Sequence, residues 1–259
     1  MPLEFYFFIG SAFILGSLIG SFLNVCIYRI PAGKSIVSPP SSCPNCGYLI
    51  RWYQNIPVIS YVFLGGKCGS CRVRISFRYP AIELLTGVLF ATVLYYNGFS
   101  LATLVYWIFV AALVVVTFID LDHQIIPDVI SLPGIIVGFG CSFLIPWLSW
   151  IDSFIGILVG GGILLSIAWV YEKIAKREGM GGGDIKLLGM LGAFLGWQAV
   201  FPVIFIASLL GTLIGVPLML LQRSDTRFAI PFGPFLAFAA IVYLFWGQGL
   251  VHWYLHLFN

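Results

Sequence analysis

Five of the ten acidic residues in this 259-residue chain fall in two short segments, IDLDHQIIPD (119–128) and EGMGGGD (178–184). Each adjoins a long apolar run, and carboxylates at membrane depth are costly enough to point to function. Two aspartates at one depth can hydrolyse a peptide. Like charges sharing a site hold one proton between them, so one carboxylate takes a proton from water while the other protonates or polarises the scissile carbonyl. Asp120 and Asp184 are the candidates. Asp120 ends an apolar run, where a helix C-terminus disfavours charge, and Asp184 begins one, where an N-terminus favours it. That makes Asp184 the ionised base and Asp120 the protonated acid. Asp184 could equally be an N-cap, as could Asp128 after Pro127. Asp122 lies two residues from Asp120, on nearly the opposite helix face. His123 reads as an interfacial polar residue, and Glu83 suits loop docking as well as a direct role.

Three consecutive glycines, Gly181, Gly182 and Gly183, precede Asp184. A cap does not need them. Bare backbone allows an extended peptide to lie alongside and hydrogen-bond, as a protease substrate must. Close helix packing is their other use.

A second constellation is Cys43-x2-Cys46 and Cys68-x2-Cys71, with 21 residues between the pairs. Such spacing predicts a tetrahedral zinc site built of two knuckles, with Gly47 and Gly69 easing the turns. Four thiolates close the coordination sphere, which makes the metal structural. Cys26 and Cys141 fall within apolar runs and read as small buried residues.

The elements that must position these groups are membrane helices. Hydrophobic residues make up 60% of the chain and charged residues 9%, against about 25% charged in soluble domains. Mean hydropathy is +1.03. A net charge of +3 gives no indication of nucleic-acid binding. Runs near 5–27, 81–97, 101–120, 129–149, 153–172, 199–221 and 229–249 approach the roughly 20 residues a crossing needs, and a shorter run covers 185–197. The first run has its basic residues after it, the reverse of a cleaved signal peptide. Seven of the thirteen Lys and Arg lie between Arg29 and Arg78, and the other six surround the glycine run or precede the last span. Basic connections alternate with ones that carry no Lys or Arg only if 185–197 also crosses. The expectation is therefore an all-α integral membrane protein with about eight transmembrane helices, both termini outside and the aspartates facing the cytoplasm. It divides into a first transmembrane helix (1–27), a basic cytoplasmic loop domain with the four-cysteine zinc site beside membrane lipid (28–79) and a transmembrane aspartic peptidase domain (80–259).

Several stretches taken together resemble the type IV prepilin peptidase family: GSLIGSFLNVCIYRIP (16–31), then CPNC, NIPVISY, GKCGSC and ISFRYPAIELLTG in order, then IDLDHQIIPD and EGMGGGDIKLL, the last containing a GxGD element. The resemblance spans nearly the whole chain. It implies an enzyme of the bacterial inner membrane with Asp120 and Asp184 as the catalytic pair. Its partner would be a type IV prepilin or pseudopilin, cut after glycine on the cytoplasmic side to remove a short basic leader. The new N-terminus would then be methylated from S-adenosylmethionine. The residues themselves offer no methyl-donor fingerprint, since GMGGGDIK has Lys186 where the last glycine of G-x-G-x-x-G would fall. Two other readings remain on the residues alone: a transporter using the aspartates as a proton relay, and a phosphotransferase using Asp120, Asp122 and Asp128 on magnesium.

Overall fold

The computed structural model describes residues 3–176, 181–222 and 231–256. Its regular elements are helices: α1 (Leu3–Arg29), α2 (Ile59–Phe63), α3 (Arg78–Asn97), α4 (Leu101–His123), α5 (Asp128–Cys141), α6 (Trp150–Ala175), α7 (Gly182–Leu195), α8 (Trp197–Gln222) and α9 (Gly233–His256). A 3-10 turn covers Trp52–Asn55. The chain forms two compact units, residues 1–115 and 116–259.

In the first unit α1 packs along α3, and small residues make that possible. A methyl group at Gly16 would lie 2.7 Å from the Thr86 carbonyl, and one at Gly20 would lie 2.8 Å from the Glu83 Cα. Gly16 and Gly20 share a helix face, and such small-residue stripes let membrane helices approach backbone to backbone. On the α4 side, Trp107 stacks on Phe90 at 5.0 Å and donates its indole N–H to the Phe90 carbonyl at 2.9 Å.

In the second unit α7 is the centre. Every residue from Leu187 to Phe194 is buried, which explains a helix apolar all round. It packs against α5, α6, α8 and α9. Gly156 and Gly160 of α6 bring that backbone against Gly192 and Leu188 of α7. Ser153 closes the seam by donating to the Ala193 carbonyl at 2.7 Å.

Among the described residues, five helices are long and apolar enough to cross a membrane: Glu4–Arg29, Arg78–Asn97, Leu101–His123, Trp150–Ala175 and Trp197–Pro217. α5 and α7 have 14 residues each, about 21 Å at 1.5 Å per residue. The run expected at 129–149 is thus cut short at Cys141. Ser142 closes the helix with its backbone N–H on Gly138 and its hydroxyl on Phe139, and Pro146 follows, unable to donate to a continuing helix.

Candidate active site

Asp120 lies in the last turn of α4 and is buried, at 4% exposure. Its neighbour Asp122 is exposed, as the helical spacing requires. Asp120 Oδ2 accepts the backbone N–H of Gly233, the first residue of α9, at 3.0 Å. Beyond α4, Gln124 turns the chain with φ 54° and donates its N–H to the Asp120 carbonyl. The turn delivers Ile126 between two helix starts. A methyl at Gly233 would lie 3.1 Å from the Ile126 side chain, and one at Gly183 would lie 2.9 Å from it. Ile126 therefore joins the start of α9, where Asp120 is held, to the start of α7, which carries Asp184. Asp184 is close enough to Asp120 to feel its charge. The two sequence-derived candidates are brought together.

Several details differ from expectation. Asp184 is not the N-cap of α7. Gly181 occupies that position with extended dihedrals, no side chain caps the helix, and Asp184 is the third helical residue, its N–H on the Gly181 carbonyl at 3.2 Å. Gly182 and Gly183 form the first turn, and Gly183 packs against Ile126 where a side chain would not fit. Gly181 and Gly182 are exposed, while residues 177–180 of the glycine segment lie outside the described residues. Asp128 is not a cap either: Pro127 precedes the helix. The Asp128 carboxylate instead takes both hydrogen bonds from Lys186 of α7, at 2.7 and 2.8 Å.

Gly233 escaped the sequence reading because its contribution is a backbone N–H. The available signal was the Gly233-Pro234 pair, since proline is favoured in the first turn of a helix.

In the first unit, Cys43, Cys46, Cys68 and Cys71 converge, their sulfurs all within 4.8 Å of one another. Cys43 and Cys71 sulfurs are 3.8 Å apart, which matches the edge of a tetrahedron with metal–sulfur bonds of about 2.3 Å. The donor set could hold a metal ion. Each pair sits in a small hairpin, one bridged at Ser42 and Leu49, the other at Lys67 and Arg74. The left-handed residue following each pair is Gly47 in one and Arg72 in the other. Gly69 therefore does not play the part expected of it. The Val73 backbone N–H, aided by neighbouring thiols, pulls Cys71 down to about 6. The Tyr48 backbone also lowers Cys46, but burial and the three surrounding sulfurs together push it up to about 11.

Glu83 is buried near the start of α3 and serves the loop. Its Oε2 accepts the Val58 N–H at 2.8 Å, and the Ser21 hydroxyl also bonds it.

Comparison with known proteins follows the same division. Residues 14–97 match the Bacterial Peptidase A24 N-terminal domain, and residues 107–216 match the Type IV leader peptidase family. A prepilin leader peptidase/N-methyltransferase of Pseudomonas aeruginosa is 37% identical over 271 aligned positions, covering 96% of this chain and 93% of the relative. The proteins of the same description from Aeromonas hydrophila and Myxococcus xanthus are 36% and 43% identical, over 96% and 80% of this chain and 94% and 62% of their own lengths. No solved structure matches. The chain belongs to the type IV leader peptidase family.

Proposed function

We propose that the protein is a membrane aspartic endopeptidase that removes the leader from type IV prepilins or pseudopilins, and that it methylates the new N-terminus. One observation carries the peptidase half: a buried Asp120 and a half-buried Asp184, drawn together by Ile126 at the starts of α7 and α9. The names of the curated relatives support both activities.

In this mechanism the pair shares one proton. The anionic carboxylate takes a proton from water, the resulting hydroxide attacks the scissile carbonyl carbon, and the other carboxyl gives its proton to the carbonyl oxygen. Collapse of the tetrahedral intermediate sends a proton to the leaving amine and returns the pair to one proton. The exposed backbone of Gly181 and Gly182 would hold the substrate extended beside Asp184, while Gly183 is already engaged with Ile126. Zinc on Cys43, Cys46, Cys68 and Cys71 would be structural, fixing residues 28–79 as a loop domain ahead of the peptidase domain. S-adenosylmethionine would supply the methyl group. The positive-inside pattern supports eight crossings, with the loop and the aspartates on the cytoplasmic side of the inner membrane.

The test is the N-terminal mass of a prepilin incubated with purified protein and S-adenosylmethionine, comparing wild type with Asp120→Asn and Asp184→Asn. Shortened, methylated product from wild type alone is expected. Cleavage surviving either substitution would remove that aspartate from the pair. Cleavage abolished by EDTA at the chemical step would favour metal chemistry instead.

A further inference from the structure

The loop between α1 and α3 carries an exposed apolar face. α2 turns Ile59, Val62 and Phe63 outward at positions i, i+3 and i+4, so they share one side of the helix. Val62 is 69% and Phe63 86% exposed. Trp52, 82% exposed, stands on the adjoining 3-10 turn. Exposed Phe77, at the head of α3, lies edge-on to Tyr61 of α2.

The depth of this face is set by Glu83. That residue lies in the second turn of α3, a helix long and apolar enough to cross a membrane, and it takes the N–H of Val58, immediately before α2. The apolar face is thereby pinned beside the end of a membrane helix. Val58 holds φ 60°, a costly conformation for a β-branched residue, so the placement is enforced against local preference.

Charge identifies the occupant. No acidic residue occurs between Glu4 and Glu83, whereas seven basic ones do. Arg51, Lys67, Arg72 and Arg74 of the same loop are exposed. Apolar and aromatic side chains in a basic loop, continuous with spanning helices, fit the boundary between headgroups and acyl chains of an anionic leaflet.

We propose that Trp52–Phe63 is an interfacial anchor. Trp52, Ile59, Val62 and Phe63 enter the leaflet that borders this loop, and the Arg and Lys of the loop select anionic lipid. The anchor fixes the height of the cysteine hairpins over the bilayer independently of the aspartate site.

The test uses the full chain in nanodiscs of phosphatidylcholine alone or mixed with phosphatidylglycerol. Backbone amide exchange of residues 52–64 is read by mass spectrometry, with the cysteine hairpins as internal reference. Exchange about tenfold slower in the anionic discs is expected, with the difference lost in high salt and in the combined Trp52→Ser, Val62→Ser, Phe63→Ser variant. Equal exchange in the two lipids overturns the proposal. So does protection that appears only when a prepilin is added, which would make this a protein-docking face. If the triple variant loses the packing of α1 on α3, the wild-type comparison between lipids still decides.

Discussion

The backbone N–H of Gly233 points at Asp120 Oδ2 from 3.0 Å in a buried setting, across 113 residues of sequence. One carboxylate oxygen is thus fixed by the start of α9, and the proposed mechanism uses the other with Asp184. The same closeness leaves no room for a side chain, since a methyl at Gly233 would fall 2.5 Å from Oδ2. Gly233→Ala is expected to tilt Asp120 and lower kcat by about 10- to 100-fold. KM should change little, because the proposed substrate backbone site is at Gly181 and Gly182. Steady-state cleavage kinetics check this; an unchanged kcat would mean that the hydrogen bond is only structural.

The glycines separate into those that helices need and those they tolerate. A methyl at Gly192 would run into the Gly156 carbonyl, while Gly140 has nothing within 4 Å. Backbone cannot move aside as a flexible side chain does, so Gly192→Ala should destabilise by about 1–3 kcal/mol. Gly140→Ala should be neutral or slightly stabilising, as alanine is the better helix former. Thermal melts in one detergent compare the two. Similar losses would show that the α6–α7 seam is looser than described.

These contrasts mark what the chain discloses before it folds. Asp120 and Asp184 were legible because a carboxylate beside an apolar run is rare and expensive, and the four cysteines because their spacing is distinctive. Gly233 was not, since a backbone donor has no side-chain signature and its partner lies far away in sequence. The start of α7 was misplaced for a related reason. Three glycines look like flexible loop, yet Gly182 and Gly183 are helical, and at Gly183 Ile126 occupies the space a side chain would need. The Lys186–Asp128 pair was hidden by a local rule, since an aspartate after proline resembles a cap whether or not a lysine from another helix reaches it.

Glu83 holds the loop through one hydrogen bond to Val58, and the acceptor matters more than the charge. Glu83→Ala leaves a half-buried N–H unpaired, at a cost of about 1–3 kcal/mol, and should release residues 55–66 to limited proteolysis before the helices open. Glu83→Gln keeps a carbonyl oxygen at the same position and should protect the loop nearly as well as wild type. Equal sensitivity of both variants would show that the charge, through Ser21 or another donor, holds the segment.

Metal affinity at the cysteine cluster should depend on pH with a definite sign. A bound thiolate carries no proton, so every thiol still protonated at the working pH must release one on binding. Cys71, pulled down to about 6, is mostly ionised already near neutrality. Cys46, pushed up to about 11, keeps its proton throughout the neutral range. At least one proton is therefore displaced, and zinc affinity should fall by at least about tenfold for each unit of pH lost between about 9 and 7. Below about 6 the fall steepens, because Cys71 must then be deprotonated as well. Competition with a chromophoric chelator across that range measures the slope, and elemental analysis should give one zinc per chain, lost in Cys71→Ser. A pH-independent affinity would show that the four thiols are not the ligands, whatever metal the protein carries.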